Sequence, residues 1–173
     1  PLSSASPILL VHKRRSHAAA ILVAPPAAFL DDTSLTVRHL SGKNPIRVVL
    51  DKHLALNQSH HLFDNSLPTL VYTIKHLPDT LHTTYITLNA DKPLLPQIID
   101  DLDQRRIQTL LVEVGSKLLQ SFIDDELWDE IYVEKSRKLL LNGVKSPLIR
   151  AKNSYFIQKN FGVYIRHYVN QKA

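Results

Sequence analysis

The sequence of 173 residues contains no cysteine, which excludes disulfides, thiolate metal ligands and cysteine nucleophiles. It also has no apolar run near the roughly 18 residues that a membrane-spanning helix needs. Residues 1–16 lack the charged start and long apolar run of a secretory signal. What remains, 44% hydrophobic and 21% charged residues, is the composition of an ordinary globular protein. We therefore expect a single domain over 1–173 that is cytoplasmic and has no membrane partner.

Glycine is scarce, with only four residues, at positions 42, 115, 143 and 162. Average usage would supply about twelve in a chain of this length. Neither a Gly-x-Gly-x-x-Gly fingerprint nor a Walker loop can be built from glycines so far apart. The sequence therefore excludes the usual Rossmann and P-loop nucleotide-binding domains, and any phosphate binding must depend on a single helix start.

The charge is moderately basic, because 21 Lys and Arg outweigh 16 Asp and Glu by +5. Such a balance permits anionic partners, including phosphorylated metabolites, without choosing among them. The basic residues are scattered, and aromatic residues are not interleaved with them as a base-stacking platform requires. We expect no nucleic-acid partner.

Nine histidines are present, but their spacing does not predict a metal site. His60 and His61 are adjacent and would point apart in a strand, and no His-x-x-x-His pair surrounds them. His12 and His17 are five residues apart, a poor spacing for one face of a helix. We interpret the histidines as surface or packing residues.

Short apolar stretches rich in β-branched residues alternate with longer amphipathic ones, which is typical of an α/β domain. Helices are predicted over 6–16, 94–106 and 117–123. Strands are predicted over 19–23, 46–51, 68–73, 85–88 and 109–114. Three more strands, over 128–134, 154–158 and 163–169, make the C-terminal end of the chain mostly β.

Two local patterns could carry chemistry. Glu113 ends a buried strand just before Gly115 and Ser116 open a helix, so a carboxylate would lie beside an anion-binding helix start. The alternative is that Glu113 only caps this junction. Arg38 follows an Asp-Asp-Thr-Ser cluster, and its planar fork of donors suits a phosphate or carboxylate. A surface salt bridge from Arg38 to one of those aspartates is the alternative.

Several segments then occur in the order found in one family. They are Val-His-Lys-Arg-Arg-Ser at 11–16, Ala-Ile-Leu-Val at 20–23, Asp-Asp-Thr-Ser-Leu-Thr-Val-Arg at 31–38, the stretch 42–51 ending in Arg-Val-Val-Leu-Asp, and Leu-Val-Glu-Val-Gly-Ser at 111–116. Further matches at 122–130, 143–147 and 161–168 extend the likeness over nearly the whole chain. The chain resembles the reductase domain of the bacterial bifunctional riboflavin-biosynthesis deaminase/reductase.

This resemblance implies a dihydrofolate-reductase-like α/β fold, with a mostly parallel central sheet flanked by helices and a β-rich C-terminal end. It implies NADPH-dependent reduction of 5-amino-6-(5-phosphoribosylamino)uracil, a phosphorylated pyrimidine, to the ribitylamino product. It also implies a homodimer. We expect this chain to lack the family's first strand and the zinc deaminase domain that usually precedes it.

The resemblance also implies roles for individual residues. Leu35, Arg38 and Glu113 would contact the substrate, with Arg38 as the phosphate ligand. Asp31 and Lys52 would contact the cofactor, and its phosphates would lie at the helix start formed by Gly115, Ser116, Lys117, Leu118, Leu119, Gln120 and Ser121. The catalytic residues stay unknown.

Three features of the sequence depart from the family pattern. Ala24-Pro25-Pro26-Ala27 lacks a cofactor-contacting hydroxyl, and Val114 replaces a glycine where the backbone should approach phosphate. Lys52 stands where the family usually has serine, and its charge suits the 2′-phosphate of NADPH. The chain is therefore either a working reductase or an impaired relative that keeps the fold as a structural or binding module. A basic module that binds nucleic acid or another partner on the same scaffold is the third alternative.

Overall fold

The computed structural model describes residues 5–25, 34–37, 42–134, 142–149, 155–160 and 163–171. Its internal contacts divide the chain into two compact units. Residues 12–115 form the first, here called the parallel unit, and residues 1–11 with 116–173 form the second, here called the antiparallel unit. Each unit contains one β-sheet.

The sheet of the parallel unit has five strands in the order β4-β3-β2-β1-β5, and every neighbouring pair is parallel. The strands are β1 Ala20–Val23, β2 Ile46–Leu50, β3 Thr69–Thr73, β4 Thr83–Thr87 and β5 Leu110–Val112. In register, Leu22 of β1 lies between Val48 of β2 and Val112 of β5. Helix α1, Ala5–His17, precedes β1, and helix α2, Leu94–Gln104, connects β4 to β5.

The core of the parallel unit forms because its inner strands are rich in apolar and β-branched residues. Every residue of β1 and β3 is buried, as expected for a parallel sheet whose two faces are covered. Ile21 of β1, Val49 of β2 and Val71 of β3 lie on one face of the sheet and pack in one cluster. The cluster also contains four side chains from the connecting segments: Leu35, Leu56, Leu62 and Phe63. Helix α2 buries Leu95, Ile98 and Leu102, which recur at helical spacing.

A polar contact links β3 to α2. The hydroxyl of Tyr72, a fully buried residue, donates to Asp101 Oδ2 at 2.6 Å, and Arg105 Nε donates to the same oxygen at 2.7 Å. Burial acts to raise the pKa of Asp101, but the hydrogen bonds from Arg105 and Tyr72 outweigh it and the pKa is lowered. Burial, together with the Asp101 hydrogen bond, raises the pKa of Tyr72. The phenol therefore stays protonated and acts as the donor.

The antiparallel unit contains helix α3, Ser116–Asp124, and strands β6 Glu130–Glu134, β7 Tyr155–Asn160 and β8 Val163–Val169. The strands form an antiparallel sheet in the order β6-β8-β7, so β7 is an edge strand. Ile165 at the centre of β8 is buried, whereas Phe156 and Ile157 of β7 are 64% and 65% exposed.

The structure confirms the α/β fold class, the mostly parallel central sheet and the β-rich C-terminal end. The predicted helices and strands among the described residues are present, with shifted ends: β4 begins at Thr83 rather than 85, and β5 ends at Val112 rather than 114. His60 and His61 are not in a strand, since they lie at the start of a 3-10 turn, His61–Phe63, that the sequence did not predict.

Candidate functional site

The chain segments that follow β1, β2 and β5 meet at one edge of the parallel sheet, because parallel strands end on the same side. Ala24 follows β1, Asp51 and Lys52 follow β2, and Glu113 follows β5. From β1 the chain continues to β2 on one side, and β5 lies on the other side. Ligands of open α/β sheets bind at such a change of direction.

Glu113 is held at this edge by both its backbone and its side chain. Its amide donates to Leu22 O at 2.9 Å, which continues the β1–β5 ladder. Arg15 Nε donates to Glu113 Oε1 at 3.1 Å, and Arg15 Nη2 donates to Oε2 at 2.5 Å. The two side chains are 11% and 28% exposed, respectively. The carboxylate thus forms a two-point ion pair, a contact different from the helix cap that was the alternative interpretation.

Arg15 is the residue that the sequence reasoning missed. It lies in the last turn of α1, where a cation suits the helix dipole, and nothing in its local sequence gives it a role at the site. The pair joins residues 98 positions apart, so no local spacing could reveal it. A planar guanidinium on both oxygens fixes the plane of the carboxylate and compensates its charge. Glu113 is therefore an oriented hydrogen-bond acceptor for hydroxyl or amine groups.

Lys52 lies on a turn whose backbone is fixed by neighbouring groups. The buried Asp51 accepts hydrogen bonds from the amides of Ala55 and Leu56 at 2.9 and 2.8 Å. The carbonyl of Lys52 accepts from Thr73 Oγ1 at 3.1 Å and from the amide of Ile74 at 3.2 Å. Since the Lys52 side chain is exposed, the turn presents a cation at the carboxyl edge of the sheet.

Leu35 is fully buried in the core cluster, with a φ of 53°. Its side chain faces other apolar residues, so a contact with substrate would have to come through its backbone. Arg38 and Asp31 lie outside the described residues. The roles assigned to these three residues remain predictions.

A cavity of about 390 Å³ lies at the start of α3 in the antiparallel unit. It is lined by Ser116, Lys117, Gln120, Lys145, Ser146, Pro147 and Leu148. The amide group of Gln120 bonds the backbone of Leu148 twice: Leu148 N donates to Oε1 at 2.7 Å, and Nε2 donates to Leu148 O at 3.3 Å. Lysines from two segments and the unpaired amides of a helix start make this cavity suited to phosphate.

The other residues of the predicted cofactor segment, 115–121, are not among the residues that line this cavity. Leu118 and Leu119 are partly buried, and Ser121 Oγ donates to Lys117 O at 3.3 Å within the helix. Among the described residues other than Gly115 and its two chain neighbours, no atom lies within 4 Å of a methyl group added to Gly115. Val114 does not have a positive φ, so its side chain imposes no backbone strain there.

Across the described parts of the chain, no three histidine, aspartate or glutamate residues are grouped so that they could hold a metal ion. None of the helices in those same parts is both long and apolar enough to cross a membrane.

A family model and individual proteins of known sequence both match this chain. The family model described as the RibD C-terminal domain matches residues 6–136. The riboflavin biosynthesis protein RibD of Chlamydia pneumoniae is 30% identical over 152 residues, which cover 80% of this chain and 40% of that protein. The 2,5-diamino-6-ribosylamino-4(3H)-pyrimidinone 5′-phosphate reductase of Aquifex aeolicus is 26% identical over 130 residues, covering 70% of this chain and 58% of that protein.

Two solved structures show the same fold. A Thermotoga maritima diaminohydroxyphosphoribosylaminopyrimidine deaminase/5-amino-6-(5-phosphoribosylamino)uracil reductase superposes with a TM-score of 0.78 at 22% identity, over 92% of this chain and 47% of that one. A pyrimidine reductase-like protein from Corynebacterium diphtheriae gives 0.77 at 18% identity, over 98% and 82%. The chain spans about 40% of the length of the RibD proteins it matches. On the extent of the family match, the chain belongs to the RibD C-terminal domain family.

Proposed function

We propose that this chain reduces 5-amino-6-(5-phosphoribosylamino)uracil to its ribitylamino product with NADPH. The observation that carries the proposal is the family match over 6–136, which includes Glu113 at the carboxyl edge of the parallel sheet. Relatives in the same comparison are named as reductases of a phosphorylated ribosylaminopyrimidine. The proposed substrate class follows from those names and from the resemblance.

Reduction at C1 of the ribosyl group requires one hydride and one proton. NADPH supplies the hydride when it is bound. The Arg15–Glu113 pair orients the substrate, since the lone pairs that Arg15 leaves free on the fixed carboxylate accept hydrogen bonds from ribosyl hydroxyls. Arg38 is the proposed ligand of the substrate phosphate, and backbone groups of Leu35 are a further proposed substrate contact. Asp31 is a proposed contact of the cofactor.

Two features of the chain fit the charge of the cofactor. The cavity at the start of α3 combines Lys117 and Lys145 with helix amides, a donor set suited to a pyrophosphate. Lys52 lies exposed on a fixed turn and provides a cation for a 2′-phosphate. The proposed cofactor segment, 115–121, contributes Ser116, Lys117 and Gln120 to that cavity.

The alternative is a relative that keeps the fold and has lost the cofactor site. It is favoured by Ala24 and Pro25, which follow β1 at the carboxyl edge and offer no side-chain hydrogen bond. An impaired relative would act as a structural or binding module. We also propose a cytoplasmic location and a homodimer, and the exposed Phe156 and Ile157 of edge strand β7 support self-association.

Titration with NADPH separates the two possibilities. Saturable binding raises the free energy of unfolding by RT ln(1+[L]/Kd), about 2.7 kcal/mol at a hundredfold excess over Kd. The reductase proposal predicts a rise in Tm at micromolar NADPH and oxidation of the nicotinamide when the phosphorylated pyrimidine is added. An unchanged Tm at millimolar NADPH would favour the impaired relative.

Glu113→Gln tests the proposed substrate contact. The amide keeps the size of the side chain but loses its charge, so we expect kcat/KM for the pyrimidine to fall about tenfold to a hundredfold. The Kd for NADPH should stay unchanged. Equal losses in substrate and cofactor binding would contradict a role confined to the substrate.

A further inference from the structure

Arg47 is a fully buried arginine whose hydrogen bonds join three segments of the parallel unit. It lies on β2, where Nε donates to Ser34 O at 3.0 Å. Nη1 donates to Leu62 O at 3.1 Å and to Asp64 Oδ1 at 2.7 Å, and Nη2 donates to Ser66 Oγ at 3.1 Å. One guanidinium therefore connects β2, the segment 34–37 and the turn 61–66.

Burying a guanidinium in this way is costly, because the charge leaves water. Here Asp64 compensates the charge, and its hydrogen bond from Arg47 lowers the pKa of Asp64 well below the ordinary value of 3.8. An apolar side chain of similar volume would fill the same space without the desolvation cost. What an apolar side chain cannot supply is a set of donors that fixes the carbonyl of Ser34.

The segment 34–37 is restrained at its other end as well. Asn44 Oδ1 accepts the amide of Val37 at 2.8 Å. Between these two contacts, Leu35 has a positive φ of 53°, which a leucine seldom adopts. Such a conformation persists only when the surroundings determine it. The segment is thus held in one strained shape by Arg47 and Asn44.

We propose that Arg47 is a positioning residue that holds segment 34–37 in the shape required for substrate binding. The inference rests on the proposed function, in which Leu35 and the neighbouring Arg38 contact the phosphorylated pyrimidine. Arg47 is buried at 0% exposure and so acts through the Ser34 carbonyl, not by touching the substrate.

The test compares Arg47→Lys with Tyr72→Phe. Lysine keeps the positive charge but has no planar fork, so it cannot serve Ser34, Leu62 and Ser66 together. Tyr72→Phe removes a part-buried hydrogen bond between β3 and α2, on the opposite face of the parallel sheet from Arg47. It leaves segment 34–37 untouched, so it controls for general destabilisation. Asn44→Ala removes the second restraint at an exposed position and serves where Arg47→Lys folds poorly.

Hydrogen exchange of the 34–37 amides and steady-state kinetics are measured on all variants. In Arg47→Lys we expect faster exchange in 34–37 and a KM for the pyrimidine raised about tenfold or more, since a small displacement of positioning groups is costly. The Kd for NADPH should change by less than about twofold. Asn44→Ala should change both exchange and KM in the same direction by less, and Tyr72→Phe should change neither.

Three outcomes decide the proposal. Unchanged exchange at 34–37 in both Arg47→Lys and Asn44→Ala would overturn it, whatever the activity of the wild type. Faster exchange with an unchanged KM would overturn the link to substrate and leave the reductase function intact. Faster exchange in a chain whose wild type neither binds NADPH nor turns over would support the anchoring by Arg47 and refute the reductase function instead.

Discussion

The two units of this chain differ in how far their apolar strands are buried. Every residue of β1 and β3 in the parallel unit is buried, whereas edge strand β7 of the antiparallel unit exposes Phe156 and Ile157. The difference follows from position and topology: β1 and β3 are inner strands of a parallel sheet, which is covered on both faces, whereas β7 is an edge strand of an antiparallel sheet, which need not be. The parallel unit thus supplies its own core, while β7 presents apolar surface that the described residues do not cover.

The largest expected effect tests this contrast with one substitution at two places. Ile21→Ala in β1 removes a fully buried side chain and should lower the free energy of unfolding by about 2–5 kcal/mol. Ile157→Ala in β7 should lower it by less than about 0.5 kcal/mol in the monomer. Denaturant unfolding measures both. A comparable loss at Ile157 would show that β7 is covered in solution, and dependence of Tm on protein concentration would identify a second copy as the cover.

Within the parallel unit, the Arg15–Glu113 pair should contribute more than an exposed ion pair. A double-mutant cycle with Arg15→Gln and Glu113→Gln should give a coupling free energy of about 1–3 kcal/mol, because the pair is bidentate and mostly shielded from water. The same double-mutant cycle can be measured on the i,i+4 ion pair Arg105–Asp101 for comparison, although Tyr72 donates to the same Asp101 oxygen. A coupling near zero for Arg15–Glu113 would contradict the rigid orientation ascribed to Glu113.

Lysines of the two units should differ in what they do for the cofactor. Lys145→Ala in the α3 cavity and Lys52→Ala at the carboxyl edge should each weaken NADPH binding about threefold to tenfold. Only Lys52→Ala should reduce the preference for NADPH over NADH, since we place the 2′-phosphate at Lys52. Lys92→Ala, an exposed lysine before α2, is the matched control. If Lys145→Ala instead lost the preference for NADPH over NADH, the 2′-phosphate would be assigned to Lys145 and the pyrophosphate to Lys52.

The smallest expected effect is on the stability of the fold at acidic pH. Asp64 and Asp101 of the parallel unit have pKa values below the ordinary 3.8, because hydrogen bonds from Arg47 to Asp64 and from Arg105 and Tyr72 to Asp101 favour their ionised forms. The stability they contribute is present above the unfolded-state pKa and is lost as the pH falls through the folded-state values. Asp64→Asn should flatten this decline, whereas Asp91→Asn, an exposed acid, should not. Unfolding between pH 5 and 2 measures it.

The fold could be predicted from the sequence because its signals are local. The runs Ala-Ile-Leu-Val and Thr-Leu-Val-Tyr-Thr are apolar or β-branched throughout, and α2 shows its buried residues at helical spacing. The 3-10 turn at 61–63 was missed, since three residues carry no periodicity. The ends of β4 and β5 were also misplaced, because they depend on where the hydrogen bonds to the neighbouring strands stop.

The candidate site was predictable only in part. Glu113 could be placed from the strand–Gly-Ser–helix junction, but its partner Arg15 comes from a distant helix. Burial of Arg47 runs against the usual exposure of arginine, and its partners come from two separate loops. The positive φ of Leu35 has no signal in its residue type. These features arise from tertiary packing, which a single sequence does not encode in its spacing.

The place of β1 between β2 and β5 also bears on how the parallel unit assembles. Ala19 bonds to Thr109, 90 residues later in the chain. The second edge of β1 therefore stays open during synthesis until β5 has left the ribosome. Contacts between residues so far apart in sequence slow folding, so we expect this unit to fold more slowly than local helices form.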